Sequence, residues 1–276
     1  MTLLTRRRRV ILRQIVSPPY VYRWAGLLAV VAVFAGVTAV VLLDRGPATT
    51  LAAGPGLAVP AAGPPIVPAA PAPARPAIAP TLLTTTGGKG RTVALTFDDG
   101  PDPATTPQIL DLLAQHRMKA VFCMVGGQAQ AHPDLVREVV AAGHRLCNHT
   151  ITHDPGIGAR TPAVMDRQLR ASRDVLVQAA GGADVDLFRA PEGRWSPELI
   201  RMSAQDGMRS LGWTVDPLDW TTPGAAAIVQ RVQQRVHPGA VVLLHDGGGP
   251  RGQTVAAARQ LLPWLEEQGY SAVLPR

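Results

Sequence analysis

The chain has 276 residues, enough for one sizeable domain with appendages, and a formal net charge of +7. This charge lies before Gly87, where eight arginines accompany one acidic residue, Asp44. From Gly87 onward, nineteen basic residues balance nineteen acidic ones, which excludes a general electrostatic footprint for nucleic acid. Two cysteines, Cys123 and Cys147, exclude a disulfide-rich scaffold and a cysteine-rich zinc module. They leave open one disulfide or two buried thiols.

A basic segment, residues 1–23, precedes a candidate membrane span at residues 24–43. Nineteen consecutive residues from Ala25 to Leu43 carry no charge. A bilayer core requires about 20 such residues, whereas the apolar part of a cleavable signal peptide has about 7–15. Because the arginines lie before the span, the positive-inside rule keeps the N-terminus cytoplasmic and exports the rest. We therefore expect a single-pass anchor in the cell membrane, or a secreted protein if the signal is cleaved.

Residues 44–86 are predicted to form a disordered linker between the span and a domain at 87–276. From residue 46 to residue 86 there are ten prolines and twelve alanines, without hydrophobic periodicity. Such a segment cannot bury a core, and its prolines favour extended polyproline II structure. It is therefore expected to act as a spacer.

Short apolar runs alternate with helical periodicity in the domain that follows. Thr161-Pro162 and Ser196-Pro197 are typical helix starts, and Gly143 is typical of a helix end. This alternation favours parallel strands in a barrel or a doubly wound sheet, and so an α/β fold. The apolar runs are Thr92–Phe97, Lys119–Val125, Arg145–Asn148, Val185–Phe188, Arg209–Trp213, Ala240–Leu244 and Ser271–Leu274.

Residues able to perform acid–base or metal chemistry stand at the ends of these runs. In a parallel α/β domain such ends gather on one face, where active sites form. His149 and His153 have the spacing that places two side chains on one face of a helical turn. With a strand-end carboxylate they make a three-ligand set that suits catalytic zinc or a non-haem iron facial triad. The strand-end residues are Asp98, Asp99, His149, Arg189, Asp216, Asp219 and His245.

Five motifs follow one another along the domain: Thr96-Phe97-Asp98-Asp99-Gly100, His149-Thr150-x-x-His153, Arg189-Ala190-Pro191-x-Gly193, Asp216-x-x-Asp219-Trp220 and Leu243-x-His245. In this order they resemble the motifs of the polysaccharide deacetylase family, the NodB-homology group or carbohydrate esterase family four. The resemblance extends from about Thr92 to Leu274. It implies a distorted (β/α) barrel of about seven parallel strands. It also implies a metal-dependent hydrolase that removes N-acetyl groups, or in some members O-acetyl groups, from glycans.

The resemblance implies a metal site and a base. Asp99, His149 and His153 would bind a divalent cation, Zn²⁺ first, with Co²⁺, Mn²⁺ or Fe²⁺ as alternatives. Asp98 would be the general base that deprotonates a water molecule, and Arg189 would orient this base.

The resemblance also implies an acid and a substrate pocket. His245 would be the general acid that protonates the leaving amine, and Asp219 would tune it. The residues expected to contact substrate are Pro191, Gly193, Trp220 and Leu243.

The expected activity is removal of acetyl groups from a cell-envelope polysaccharide such as peptidoglycan, or from chitin oligomers. Three alternatives stay open: an O-acetyl esterase, a non-catalytic module that retains metal and binds glycan, and an iron-dependent oxygenase. Asp98, Arg189 and His245 argue against the binding module, since binding alone needs none of them. The expected partners are the acetylated glycan and the membrane, without nucleic acid, and a monomer is favoured.

Overall fold

Eight β-strands form one sheet in residues 68–276, the part of the chain that the computed structural model describes. Their bounds are β1 Leu82–Leu83, β2 Thr92–Asp98, β3 Ala120–Met124, β4 Arg145–Asn148, β5 Leu187–Phe188, β6 Arg209–Leu211, β7 Ala240–His245 and β8 Ser271–Ala272. Seven strands lie in the order β1-β6-β5-β4-β3-β2-β7, and β8 pairs with β2. Every pairing between these strands is parallel. Each of the seven predicted apolar runs contains a strand.

Helices follow most of these strands, as the alternation predicts. The predicted starts are confirmed: one helix begins at Pro162 and another at Pro197, where the Ser196 hydroxyl accepts the Leu199 N–H. Gly143 follows the end of a helix with a φ of +76°. Helix bounds are α1 Thr106–Gln115, α2 Gly126–Ala131, α3 Pro133–Ala141, α4 Pro162–Ala179, α5 Pro197–Gln205, α6 Ala225–Arg235 and α7 Gly252–Glu267.

The sheet is a half-barrel of seven parallel strands, and its closure is incomplete. On one side β7 pairs with β2 over its full length. On the other side, β7 meets the rest of the chain only through isolated bridges, a parallel one between Val215 and Val242 and an antiparallel one between Thr85 and Ala240. Because the strands are parallel, their carboxyl ends face one opening of this half-barrel.

Three apolar clusters hold the barrel, one of them a small cluster around Leu169, Phe188 and Leu199, and the other two form its main layers. The larger lies between strands and helices and includes Phe97, Phe122 and Leu113. The smaller consists of strand residues that point the other way, among them Cys123 and Cys147. The register of β3 and β4 places these two cysteines opposite each other, and their sulfurs form a disulfide. Of the two alternatives that the sequence left open, the structure contains the disulfide and not two buried thiols.

The predicted linker contacts the domain before it ends. Ala72 donates its N–H to Asp174 Oδ1 at 2.6 Å, and Ile78 donates to the Ala204 carbonyl at 2.9 Å. Arg75 forms an ion pair with Asp184. Strand β1 then pairs with β6. The prediction of a disordered linker up to residue 86 is therefore wrong for these residues, because the free edge of β6 offers backbone groups that an extended segment can pair with.

The predicted membrane span at residues 24–43 lies outside the described residues, as does most of the linker. Within residues 68–276, no helix has the length and apolarity that a bilayer crossing requires.

Candidate metal centre and active site

The strand ends gather as predicted. Asp98 ends β2 and His245 ends β7, and the two residues are direct partners in the parallel register. His149 follows β4, and its backbone N–H donates to Met124 at the end of β3. Arg189 follows β5 and donates its N–H to the Asn148 carbonyl at the end of β4. One opening of the barrel therefore holds all the predicted catalytic groups.

Three side chains form a candidate metal centre. Asp99 Oδ1 lies 3.4 Å from His149 Nε2 and 3.2 Å from His153 Nε2. The three potential ligand atoms all lie within 4.8 Å of one another. Asp99 Oδ1 is buried and accepts no hydrogen bond from the described residues, which is costly unless a cation occupies the space between the ligands. One carboxylate and two imidazoles fit a divalent cation with open coordination positions.

A left-handed turn, and not a helix, brings the two histidines together. Thr150 and His153 have φ angles of +63° and +54°. Asn148 Oδ1 accepts the Thr150 N–H at 2.9 Å, and the Thr150 hydroxyl accepts the His153 N–H at 3.0 Å. The helical turn expected from the four-residue spacing is therefore wrong, although both rings reach the same point.

Hydrogen bonding orients His149 for ligation. Its Nδ1–H donates to the Arg189 carbonyl at 2.8 Å, which leaves Nε2 free to face Asp99. Burial would lower the pKa of His149, but the charges of Asp98 and Asp99 outweigh it and raise that pKa. Burial would likewise raise the pKa of Asp99, and His149 instead holds it below its usual value. The centre therefore attracts positive charge.

Asp98 and Arg189 form a buried ion pair beside this centre. Arg189 Nη1 lies 2.6 Å from Asp98 Oδ1 and donates to the Thr96 hydroxyl at 2.8 Å. The rest of the guanidinium donates to the carbonyls of Leu211 and Gly212. Asp98 Oδ2 faces the other way and lies 3.7 Å from His149 Nε2. One oxygen is thus fixed by the arginine while the other points toward the metal centre.

His245, at the end of β7, forms a second pair with Asp219, which lies in the short turn Asp219–Thr221 after β6. The His245 ring Nδ1–H donates to Asp219 Oδ1 at 2.7 Å, and the Thr254 hydroxyl donates to Asp219 Oδ2 at 2.7 Å. Burial would lower the pKa of His245, but the bond to Asp219 and its charge raise it. A histidine held in this way retains its proton to higher pH than a free one.

The expected substrate residues occupy different environments. Pro191 is buried, and a Cβ on Gly193 would lie 2.6 Å from the Trp213 ring, so the indole packs against this glycine. Leu243 is buried on β7, two residues before His245. Trp220 is 53% exposed, far more than the other tryptophans of the described chain.

Sequence reasoning missed the residues that support the site. Asp246 is fully buried directly after His245, and the Thr106 hydroxyl donates to its Oδ2 at 2.6 Å. Burial raises the pKa of Asp246 to about 7. Its place within Asp-Gly-Gly-Gly is typical of a flexible strand exit, and only its position after a catalytic histidine could have singled it out.

Backbone strain is concentrated at this opening. In the described chain seven residues other than glycine have positive φ angles, and all but Arg117 lie in the loops around the site. Such conformations are retained where the surroundings impose them, often at functional sites. The six residues are Asp99, Thr150, His153, Glu192, Leu218 and Thr222.

The chain is similar in sequence to known proteins. Residues 85–211 match the sequence profile of the family described as polysaccharide deacetylase. A chitooligosaccharide deacetylase of Sinorhizobium fredii is 43% identical over 188 residues, covering 64% of this chain and 87% of the relative. A peptidoglycan-N-acetylglucosamine deacetylase of Bacillus cereus is 38% identical over 183 residues, covering 66% and 84% respectively.

The fold is similar to that of solved structures. A CE4 family pseudoenzyme from Bacillus anthracis superposes with a TM-score of 0.66 at 27% identity, covering 71% of this chain and 67% of that one. The similarity therefore includes proteins named as deacetylases and one named as a pseudoenzyme.

Proposed function

Because the chain belongs to the polysaccharide deacetylase family, we propose that it hydrolyses the N-acetyl amide of N-acetylglucosamine units in peptidoglycan or chitin oligomers. The observation that carries this proposal is that Asp98, His245 and the Asp99–His149–His153 centre meet at one opening of the barrel. Relatives named for chitooligosaccharide and for peptidoglycan support an amino-sugar substrate.

The candidate centre would hold a divalent cation through Asp99, His149 and His153, and we propose Zn²⁺. When bound, such an ion lowers the pKa of a coordinated water and polarises the acetyl carbonyl. The donor set of two imidazoles and one carboxylate also accepts Co²⁺, Mn²⁺ or Fe²⁺.

Asp98 would act as the general base. Its Oδ1 is fixed by Arg189 at 2.6 Å, so Oδ2 is free to accept a proton from the attacking water. The oxygen of this water forms the new bond to the acetyl carbon.

His245 would act as the general acid. An amine is a poor leaving group until it is protonated, and the raised pKa of His245, caused chiefly by Asp219, keeps a proton available. As the C–N bond breaks, the proton passes to the amine nitrogen, and the products are acetate and a free amino sugar. No covalent enzyme intermediate is required.

The decisive experiment measures acetate and free amine released from N-acetylglucosamine oligomers, peptidoglycan and acetylated xylan. We expect both products from the first two substrates, loss of activity on chelation, and its return with Zn²⁺. Asp98→Asn is expected to lower the rate about 10²–10⁴-fold, whereas Asp111→Asn, an exposed carboxylate on α1, should not change it. Activity that survives both chelation and Asp98→Asn would contradict the mechanism.

The same panel separates the alternatives. Acetate release from acetylated xylan without amine release would favour an O-acetyl esterase. The similarity to a pseudoenzyme makes a non-catalytic glycan-binding module a second candidate. Tight glycan binding without product on every substrate would favour it. Metal analysis of the purified protein tests the iron-dependent oxygenase.

We further propose that the protein is anchored in the cell membrane by residues 24–43, with the catalytic domain outside. The buried Cys123–Cys147 disulfide supports an oxidising compartment, since structural disulfides are rare in the cytosol. Fractionation of cells expressing the full chain should place it in the membrane fraction. Protease added to intact cells should release the domain, and recovery of an intact soluble cytosolic protein would contradict the proposal.

A further inference from the structure

Asp99 needs external support for its conformation. Its φ is +73°, a region that residues other than glycine rarely adopt. Its Oδ1 accepts no hydrogen bond from the described residues. Its backbone N–H donates to the Cys123 carbonyl at 3.2 Å, but this bond does not fix the carboxylate.

The loop after β7 supplies contacts to Asp99. A Cβ built on Gly248 would overlap Asp99 Oδ2 and lie 3.0 Å from Asp99 Cγ. A Cβ on Gly247 would overlap the Asp99 carbonyl group. The backbone of both glycines therefore lies directly against this residue, and Gly247 N–H also donates to the Asp98 carbonyl at 3.2 Å.

Arg251 holds this loop in place. Its Nε–H donates to the Gly247 carbonyl at 2.6 Å, and its Nη2 donates to the Gly248 carbonyl at 3.0 Å. Its Nη1 reaches the Trp220 carbonyl at 3.4 Å. Arg251 is 5% exposed, and among the described residues it forms no ion pair with a carboxylate. A buried guanidinium whose hydrogen bonds all go to loop carbonyls is suited to fixing a backbone conformation.

We propose that Arg251 is a positioning residue for the metal ligand Asp99, acting through the backbone of Gly247 and Gly248. This inference rests on the metal centre proposed above. Removing a residue that orients a metal ligand typically weakens metal binding by a factor of about 10–100. Arg251 should therefore affect metal binding without touching metal or substrate.

The test is a competition titration of the metal-free full chain with Zn²⁺ and a chromophoric chelator. Arg251→Met is expected to weaken Zn²⁺ binding about 10–100-fold, and saturating Zn²⁺ should recover most of kcat. Arg251→Lys keeps the charge but cannot donate to both carbonyls in the same way, so we expect an intermediate affinity. The melting temperature of each metal-free variant is measured in parallel.

A second pair of variants separates positioning from general destabilisation. Gly248→Ala places a methyl group against the Asp99 carboxylate at a φ of +70°, whereas Gly269→Ala has a matching φ of +73° with no atom within 4 Å. Both should lower the melting temperature, but only Gly248→Ala should weaken Zn²⁺ binding.

The outcomes distinguish the two proposals. A wild-type chain that binds no metal and keeps its activity in chelator overturns the metal centre, and this inference with it. A wild-type chain that binds Zn²⁺ while Arg251→Met and Gly248→Ala bind it equally well overturns only the positioning role. A lowered melting temperature with unchanged Zn²⁺ affinity would likewise overturn only the positioning role.

Discussion

Asp219 receives two hydrogen bonds from His245, one from the ring Nδ1–H at 2.7 Å and one from the backbone N–H at 2.9 Å. The carboxylate therefore orients the imidazole ring and also favours its protonated form. Oδ1 accepts the bond from the ring. Oδ2 accepts the bond from the backbone and a further bond from the Thr254 hydroxyl.

The first prediction concerns the pH dependence of catalysis. The bond to Asp219 and its charge raise the pKa of His245, so the protonated acid persists to higher pH. Asp219→Asn removes that charge and should move the alkaline limb of kcat/KM to lower pH while lowering the maximum. The measurement is a pH profile of kcat/KM with saturating metal, and Asp134→Asn, on the exposed face of α3, is the control. An alkaline limb that stays in place would show that His245 is not the acid.

The second prediction concerns the buried ion pair. Arg189→Met leaves Asp98 buried without its partner, which typically costs about 3–5 kcal/mol of unfolding free energy. Adding Asp98→Asn should recover part of this loss, because the uncompensated charge is removed. Urea unfolding of the two single variants and the double variant measures the coupling. Additive losses would mean that the pair contributes little beyond the hydrogen bonds of Arg189 to backbone carbonyls.

The third prediction concerns acid stability. Burial, with a smaller contribution from Lys119, lowers the pKa of His144 from 6.5 to about 4. As pH falls from about 6.5 to about 4, the unfolded chain binds a proton that the folded chain does not, so the unfolding free energy decreases. Above that range both states are neutral and this histidine contributes no pH dependence.

His144→Asn tests this assignment. Its side-chain oxygen can replace Nδ1 as the acceptor of the Ala120 N–H, a bond of 3.2 Å in the native protein. Between pH 7 and pH 4.5, wild type should lose more unfolding free energy than the variant, as measured by urea denaturation of the metal-free proteins. Equal losses of unfolding free energy in wild type and variant would show that His144 is not the source of the pH dependence.

The fourth prediction concerns the disulfide. Cys123 and Cys147 are separated by 24 positions, and a cross-link of this length stabilises a fold by about 3.5 kcal/mol in the chain-entropy description. The double variant Cys123→Ala with Cys147→Ala should be destabilised by about that amount in urea. Because both cysteines are fully buried, reductant should not attack the folded wild-type protein but should lower its refolding yield after denaturation. Equal stability of oxidised and double-variant proteins would contradict this.

Much of the site could be predicted because its catalytic groups end a buried apolar strand or follow it closely. Strand β2 is buried over its full length and stops at Asp98, and β7 stops in the same way at His245. Since parallel strands present their carboxyl ends on one face, their terminal residues had to meet.

Other features depend on contacts that a local pattern does not contain. The spacing of His149 and His153 fits a helix, but the Asn148 side chain bonds to Thr150 and turns the chain left-handed. Strand β1 has two residues without periodicity, and it forms because β6 has a free edge. The sequence does not distinguish Arg251 from a surface arginine, because only the fold brings the loop carbonyls to its guanidinium.

The contact of Ala72 with Asp174 would set how far the domain can work from the proposed membrane anchor. From that residue onward the chain is attached to the domain, so only residues 44–71 would span the distance from the end of the proposed membrane segment. At about 3.1 Å per residue, this length reaches at most about 90 Å, whereas the whole segment to residue 86 would reach about 130 Å. A tethered enzyme would reach only the glycan that lies within this shorter distance of the membrane segment. Replacing Asp174, which accepts the Ala72 N–H, would lengthen the radius without altering the catalytic groups.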